Sequence, residues 1–375
     1  MNIVVGKKQP FGETIDVGDW IDRMNTRSIR VSVIIPNYNY EQFVGAAIDS
    51  ALAIDWPNVE VIVVDDGSTD GSRAVIERYT GRVTSIFQKN AGQLIACSNG
   101  FAQSKGDLIL FLDSDDLVDP SIIREAVAVS RPGVSKVQFQ MQTIDELGNL
   151  LGSFHPQYKG IPTSDQIRRW LINTTSYPSP PGSGNIYSKD LVKKVFQLCP
   201  AIHDTASDSA LITAAPLFGD VMVVDKPLVF YRIHGRNDGS LTSLDANRLR
   251  AQLEKAMARS AYAQMVGNSL GITIADQAMF QSLTIGAYRV ASFCLEPALH
   301  PIHADTRIRI LFDMVRAALI PQGFPLQGIV TWITWTLLVV ASPNSVAKFL
   351  ILWRFAPTTR PKVLQSFLCR IGVLR

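Results

Sequence analysis

Hydrophobic positions along the first two thirds of the chain follow two periodicities in alternation. From Phe43 to Leu52 apolar residues recur at helical spacing, between two β-branched runs. Such an alternation predicts an α/β domain with a mostly parallel, Rossmann-like sheet flanked by helices. The strand candidates are Val31 to Ile35, Val59 to Val64, Val83 to Gln88, Leu108 to Leu112, Lys136 to Met141, Val221 to Val224 and Leu228 to Arg232.

Strand patterns stop near residue 240, and the rest of the chain has helical spacing. Leu244 to Gly267 and Gln277 to Leu295 predict long helices. We therefore divide the chain into an N-terminal extension (1–28), an α/β domain (29–240) and a mainly helical C-terminal region (241–375). Residues 150–186 are rich in Gly, Pro, Ser and Thr, which predicts a long loop shaped for substrate, with a short helix near Ile167 to Ile172.

The C-terminal segment is both basic and apolar. From Met314 to Arg375 it contains seven Lys or Arg residues and no Asp or Glu. Inside it, Ile329 to Ala341 is a nearly unbroken apolar run of 13 residues, too short to span a bilayer as a helix. We expect this run to lie in the membrane interface, with Trp332 and Trp335 at headgroup depth. The alternative is a helix buried in a bundle.

The charge balance and the cysteine pattern indicate which binding partners and which cellular compartment are to be expected. The 36 Lys and Arg residues barely exceed the 33 Asp and Glu residues, which gives no general case for nucleic-acid binding. The four cysteines lie far apart and form no metal-binding pair, as is common in a reducing compartment. No hydrophobic run typical of a secretory signal occurs before Asn25. These features predict a cytoplasmic protein, peripheral on the inner face of the cell membrane.

Three polar clusters each follow a predicted strand directly: Pro36 to Asn39, Asp65 to Asp70, and Asp113 to Asp116. Ligands of open parallel sheets bind outside the carboxyl ends of the strands, so these clusters can converge at one edge. The third cluster places several carboxylates within four residues, and a divalent cation such as Mn²⁺ or Mg²⁺, bridging to a diphosphate, would relieve their repulsion. The alternative for the second and third clusters is a capped, solvated turn.

Four motifs occur in order along this part of the chain: Ser32 to Asn39, Val61 to Asp70, Asn90 to Gln93 and Gly106 to Asp116. Together they resemble the nucleotide-sugar half of the family 2 inverting glycosyltransferases with the GT-A fold, strongly over about residues 29–130 and weakly to about 240. The resemblance implies transfer of one sugar from a nucleotide-diphosphate sugar, by family likeness a UDP-sugar. The acceptor would be a hydroxyl of a saccharide or a lipid-linked molecule.

The same resemblance implies roles for the matching residues. Asp113, with Ser114 beside it, would face the ribose and the sugar, and Asp115 would reach the cation that binds the diphosphate. Asp65 or Asp66 would accept a hydrogen bond from the base or the ribose. The residues implied in the nucleotide pocket are Pro36, Asn37, Tyr38, Asp65, Asp66 and Asn90.

Inverting transfer also needs a base that takes the proton of the acceptor hydroxyl. The family places an acid at a helix start in the second half of the domain; Asp208 matches this position best, although Ser207 replaces the usual Glu, and Asp204 comes next. The alternative is that Asp208 only complements a helix dipole. His234, in a Tyr-Arg-x-His element of the family type, could be a third metal ligand, a diphosphate donor or a structural hydrogen-bonder.

One departure from the family leaves other classes of function open. The Arg-Asn pair common in the family is replaced by Cys97 and Ser98, so Lys89 or Arg232 would have to hold the phosphate instead. A phosphohydrolase with an Asp nucleophile is one alternative, but it gives the first two polar clusters no role. A catalytically inactive, membrane-associated carbohydrate-binding scaffold is the other.

Overall fold

A computed structural model describes Asp22 and residues 28–158, 160–198, 207–235 and 245–355. The chain forms two compact units. The first contains the described residues of Met1–Arg169, Pro178–Arg232 and Tyr262–Thr273; the second contains those of Trp170–Tyr177, Ile233–Ala261 and Ile274–Arg375. The predicted extension over 1–28 and the predicted domain boundary at 240 lie almost entirely outside the described residues.

The first unit is built on a mixed sheet of nine strands in the order β3-β2-β1-β4-β8-β6-β9-β5, with β7 paired to β6. The strands are β1 (Val31–Asn37), β2 (Val59–Asp65), β3 (Thr84–Phe87), β4 (Leu108–Phe111), β5 (Leu117–Val118), β6 (Val134–Ile144), β7 (Leu150–His155), β8 (Asn185–Ser188) and β9 (Asp220–Arg232). Strands β1 to β4 run parallel. Strand β8 is antiparallel to β4 and β6, whereas β6 and β9 are parallel.

Helices pack on this sheet through the apolar stripes of their sequences. In α1 the four residues Val44, Ala47, Ile48 and Ala51 are buried, at the spacing that places side chains on one face of a helix. They join β-branched residues of β1 and β2 in one core. The predicted α/β class is confirmed. The helices of this part of the chain are α1 (Val44–Leu52), α2 (Ser72–Glu77), α3 (Gln93–Gln103), α4 (Ile122–Val129), α5 (Ser164–Thr174), α6 (Lys189–Leu198) and α7 (Ser207–Phe218).

Two sequence-based expectations about strands are corrected. The runs predicted at Val221 to Val224 and Leu228 to Arg232 form one strand, β9, because its register against β6 shifts and accommodates the intervening residues. The predicted loop over 150–186 contains β7, α5 and the start of β8. Strand β7 was not predicted because its residues are exposed on both faces and show no alternation.

The second unit is mainly helical, as predicted. Trp335 and Val339 of α11 are buried in a core with residues of α9, α10 and α12. The Trp335 indole N–H donates to the Leu350 carbonyl at 3.1 Å. The helices from residue 245 onward are α8 (Ala246–Ser269), α9 (Leu283–Leu295), α10 (Arg307–Ala318), α11 (Leu326–Ala341) and α12 (Asn344–Phe355).

Trp335 of the apolar run lies in this core and not at headgroup depth, whereas membrane contact by the C-terminal segment stays a prediction. Trp335 is 95% buried, and Trp332 is half-buried with the Arg354 guanidinium 3.9 Å from the centre of its ring. The bundle accounts for the inner face of α11, which was the alternative stated above. None of the described helices is both long enough and apolar enough to cross a bilayer.

A buried ion network lies inside the second unit. The Arg289 guanidinium, which is fully buried, donates to both carboxylate oxygens of Asp305 at 2.9 and 2.6 Å and to Asp313 at 2.8 Å. His300 lies between Ser292 and Asp305, with ring nitrogens 3.0 Å from each. These hydrogen bonds compensate for removing the charges from water.

Candidate active site

The carboxyl ends of β1 and β2 are joined by a network of side chains. Asn37 and Asp65 pair in register, and the Asn37 amide donates to Asp65 Oδ1 at 2.9 Å. The Ser68 hydroxyl donates to the same oxygen at 2.6 Å, and the Ser68 backbone N–H donates to Oδ2 at 3.2 Å. Asp65 therefore fixes the turn that follows β2. Its predicted hydrogen bond to a nucleotide base or ribose stays a prediction. Asn37 Oδ1 is buried without a hydrogen-bond partner in the described part of the chain.

Asp66 holds the segment of residues 88–92, which we call the nucleotide loop. Its Oδ1 accepts hydrogen bonds from the Gln88 amide at 2.7 Å and from the Ala91 backbone N–H at 2.8 Å. Its Oδ2 accepts from the Gly92 N–H at 2.8 Å. Asp66 is itself buried. This carboxylate positions the loop that carries Asn90.

The side chains predicted to touch the nucleotide differ in exposure. Pro36 is buried in β1, whereas Tyr38 is 45% exposed and Asn90 is exposed. Gly67 has a φ of +74°, and a Cβ there would lie 2.7 Å from the Asn90 nitrogen. Glycine at 67 thus permits the close approach of the nucleotide loop to the turn after β2.

Residues 113–116, which we call the acid turn, are anchored by two distant segments. The Ser183 hydroxyl donates to Asp116 Oδ2 at 2.6 Å and accepts from the Asp113 N–H at 3.0 Å. The Arg232 N–H donates to Asp116 Oδ1 at 3.0 Å, and its Nε donates to the Asp115 carbonyl at 2.8 Å. The chain thus fixes the backbone of the acid turn at both ends.

Arg232 is committed to this anchoring role by further contacts. Its Nη1 donates to the carbonyls of Asp145 and Glu146 at 3.1 and 2.9 Å, and the guanidinium carbon lies 5.1 Å from the centre of the Phe43 ring. The residue is 96% buried. The sequence suggested Arg232 or Lys89 as the cation for the phosphate; the contacts of Arg232 instead orient the acid turn, and Lys89 is exposed.

Carboxylates crowd at the acid turn. Burial, together with the negative charges of Asp115 and Asp208, raises the pKa of Asp113 to about 8. Burial and the charges of Asp115 and Asp113 raise the pKa of Asp116 well above its usual value. Asp208, in the first turn of α7, therefore lies within electrostatic reach of Asp113. Its predicted role as the base stays a prediction.

The donor set of the acid turn fits a hard divalent cation. Carboxylate oxygens are the ligands that Mg²⁺ and Mn²⁺ prefer, and a nearby cation would relieve the repulsion that raises the pKa of Asp113. Across the residues that the structure describes, no group of three or more His, Cys, Asp or Glu side chains could hold a metal. Such a cation would need further oxygens from a diphosphate, as is usual for Mg²⁺.

Several predicted ligands stay predictions. Asp115 is partly exposed, Ser114 is buried, and His234 is buried at the start of a segment that belongs to the second unit.

A buried lysine supports the segment that carries Ser183. Lys136 Nζ donates to Asn185 Oδ1 and to Ser179 Oγ, each at 2.9 Å, and burial lowers the pKa of Lys136 well below its usual value. The Asn185 amide donates to the carbonyls of residues 180, 181 and 182 at 3.0 to 3.2 Å. The sequence predicted a loop shaped for substrate over residues 150–186; within it, Gly182 to Asn185 are buried and support the acid turn.

The model of glycosyl transferase family 2 matches residues 32–196, a range that includes the turns after β1 and β2, the nucleotide loop and the acid turn. The chain belongs to glycosyl transferase family 2. An uncharacterized glycosyltransferase from Nostoc sp. is 34% identical to it over 216 residues, which are 56% of this chain and 66% of that protein. Another from Rickettsia typhi is 36% identical over 107 residues, or 28% of this chain and 34% of the relative. The chain thus spans about two thirds or less of the length of these curated relatives.

Among solved structures, residues 1–349 of TarS from S. aureus, crystallised in complex with UDP-GlcNAc, resemble this chain with a TM-score of 0.51 and 17% sequence identity. The match covers 88% of this chain and 91% of the TarS chain. At this identity the likeness concerns the fold, and it confirms the GT-A type predicted from the motifs.

Proposed function

We propose that this glycosyltransferase moves a single sugar, with inversion, from a nucleotide-diphosphate sugar to a hydroxyl of a saccharide or lipid-linked acceptor. The observation that carries the proposal is the gathering of Asp113, Asp115 and Asp208 at the carboxyl end of β4. Strand β1 pairs in parallel with both β2 and β4, so the turns after all three strands lie at the same edge of the sheet.

The part of this edge formed by Tyr38 and the nucleotide loop would hold the nucleotide base. The exposed Tyr38 ring offers apolar surface, while Asp66 fixes the nucleotide loop beside it. The amide of Gln93, the first residue of α3 directly after this loop, donates to Asp113 Oδ1 at 2.9 Å and so links the start of that helix to the acid turn. A UDP-sugar is the favoured donor, because TarS, the structural relative described above, was crystallised with UDP-GlcNAc.

The acid turn would hold the diphosphate. A Mn²⁺ or Mg²⁺ ion bound there would neutralise the charge that builds on the departing diphosphate. Asp115 is the carboxylate that would hold the ion, and His234 is a further candidate, whereas Asp113 would face the ribose and the sugar. Ser183 and Arg232 keep the turn in place while the donor binds and leaves.

Asp208 would act as the general base. One of its carboxylate oxygens takes the proton of the acceptor hydroxyl as that oxygen bonds to the anomeric carbon. The bond from this carbon to the diphosphate oxygen breaks on the opposite side, and the diphosphate departs with the electron pair. The configuration of the sugar is thereby inverted.

The variant Asp208→Asn tests this assignment. We expect transfer to fall by about 10²- to 10⁴-fold, while UDP affinity in the presence of Mn²⁺ changes little, because the base acts only in the chemical step. Asp190→Asn is the matched control, since Asp190 is an exposed acid in the first turn of α6. Unchanged turnover in Asp208→Asn would remove Asp208 from this role.

The variant Asp115→Asn tests the cation site separately. Mn²⁺ should strengthen UDP binding to the unaltered enzyme, and this gain should be lost in the variant because one anionic ligand has been removed. Equal UDP affinity with and without Mn²⁺ in the unaltered enzyme would contradict the metal assignment. An inactive carbohydrate-binding scaffold would respond to glycans and not to nucleotides.

Association with the cytoplasmic face of a membrane, predicted from the C-terminal segment, is part of the proposal. It would bring the active site near lipid-linked acceptors.

A further inference from the structure

Helix α10 presents an apolar stripe to solvent. The stripe consists of Ile308, Phe312, Val315 and Leu319, which are spaced four, three and four residues apart. The first three lie within the helix, and Leu319 is its C-cap residue. Their exposed fractions are 67%, 67%, 46% and 82%. At 3.6 residues per turn these positions fall within an arc of roughly 60°, so they form a narrow line along the helix.

The opposite face of α10 already serves the core. Ile310, Met314 and Ala317 are buried there. The exposed stripe is therefore separate from the face that packs in the bundle. Its regular spacing distinguishes it from the single apolar residues that are scattered over most protein surfaces.

Helix α11 repeats the pattern. Leu326, Val330 and Leu337 lie on one line along the helix and are 72%, 55% and 46% exposed. Its buried face carries Trp335 and Val339. The two helices are held side by side at one end, because Arg307 at the start of α10 donates to the carbonyls of residues 340 and 342 at the end of α11.

The exposed charged residues of α10, α11 and α12 are positive. Arg309 and Arg316 on α10 and Lys348 on α12 are exposed. The acid of α10, Asp313, is mostly buried and forms an ion pair with Arg289 at 2.8 Å. Helices α11 and α12 contain no Asp or Glu. The surface thus combines apolar stripes with cations.

We infer that the stripes of α10 and α11 form the surface by which this protein binds an anionic lipid bilayer. Apolar side chains would enter the boundary between headgroups and acyl chains, while arginine and lysine heads reach the lipid phosphates. The surface deepens the membrane association put forward under the proposed function, and it replaces Trp332 and Trp335 as the contact. It does not depend on the transfer chemistry.

The charges favour a bilayer over a second copy of the chain. In a symmetric dimer the same patch faces itself, so the cations beside each stripe would meet cations. Anionic headgroups complement them instead. The lengths of the helices fit a position in the interface as well, because α10 and α11 have 12 and 16 residues and about 20 are needed to cross the hydrocarbon.

The test uses the full chain and vesicles of phosphatidylglycerol mixed with phosphatidylcholine, with pure phosphatidylcholine as reference. The unaltered protein should co-sediment with the anionic vesicles, and less so at high salt. The double variant Phe312→Ser, Leu319→Ser should bind at least about tenfold more weakly, since burial of two large apolar side chains is lost. Leu147→Ser is the matched control, because Leu147 is 87% exposed on the first unit.

A second pair of substitutions separates charge from apolar contact. Arg309→Gln with Arg316→Gln should abolish the preference for anionic vesicles. Point variants are needed because removing α11 and α12 would take Trp335, Val339 and Ile351 out of the core. Retained Mn²⁺-dependent UDP binding in every variant shows that the first unit is intact and keeps this test separate from that of the transfer chemistry.

Two outcomes would overturn the inference. One is equal vesicle binding by the unaltered protein and by the stripe variant. The other is a concentration-dependent dimer, without vesicle binding, that Phe312→Ser dissociates; this would identify a second copy as the partner.

Discussion

Removal of the Ser183 hydroxyl is the sharpest perturbation of the acid turn. This one group donates to Asp116 Oδ2 and accepts from the Asp113 N–H. The variant Ser183→Ala therefore leaves a buried carboxylate oxygen and a backbone N–H without this partner. It also removes a hydrogen bond that holds down the pKa values of both acids, so Asp113 and Asp116 should keep their protons to higher pH.

The magnitude follows from the two partners. A buried polar group left unsatisfied costs about 1–3 kcal/mol, and groups that carry charge cost more. Two such groups give a loss of about 2–6 kcal/mol in the free energy of unfolding. A domain is stable by only about 5–15 kcal/mol, so the effect is large.

Urea unfolding of Ser183→Ala and of the unaltered protein measures this loss, and titration of UDP with Mn²⁺ measures the displacement of the acid turn. Ser104→Ala is the control, because the Ser104 hydroxyl donates to the Phe101 carbonyl, which also accepts from the Ser104 N–H and therefore keeps a partner in the variant. If the two variants unfold alike and bind UDP alike, Ser183 does not anchor the site.

Three further predictions concern charge and space. Burial and two neighbouring carboxylates raise the pKa of Asp113 to about 8. Between about pH 4 and pH 8 the folded chain therefore holds a proton that the unfolded chain has released. The free energy of unfolding should fall as the pH rises from about 4 to about 8, and it should fall less steeply in Asp113→Asn. Gly182→Ala would place a Cβ 2.9 Å from Asp113 Oδ2, so the gain in thermal stability from UDP with Mn²⁺ should shrink; an unchanged gain would contradict this geometry. Arg289→Met removes the arginine from the buried Asp305, which keeps only its contact with His300 among those described above, and should cost about 3–5 kcal/mol in urea unfolding. Arg250→Met, in an exposed pair, should cost less than about 1 kcal/mol.

The fold class and the strand-end clusters were predictable because both depend on local sequence. The apolar runs at β1, β2 and β4 are largely buried on both faces, and each is followed by polar residues that the turn chemistry requires. Helix α1 was predictable in the same way from the helical spacing of its apolar residues. These features need no knowledge of distant residues.

The support of the acid turn could not be predicted, because it is tertiary. Nothing in Gly182 to Asn185 indicates that Ser183 will meet Asp116, and a lysine within a strand pattern gives no sign of the Lys136 contact with Asn185. The anchoring contacts of Arg232 could not be predicted for the same reason. Its position near the end of β9 suggested a phosphate contact, whereas pairing of β9 with β5 and β6 brings it to backbone carbonyls.

The distances along the chain between the acid turn and its anchors affect the order in which the enzyme matures. Ser183 lies 67 residues beyond Asp116, and Arg232 lies 116 residues beyond it. The nucleotide loop, by contrast, reaches Asp66 across 22 to 26 residues. During synthesis at the ribosome the base-binding side can assemble early, but the carboxylates gain their final arrangement only after β9 has emerged and paired.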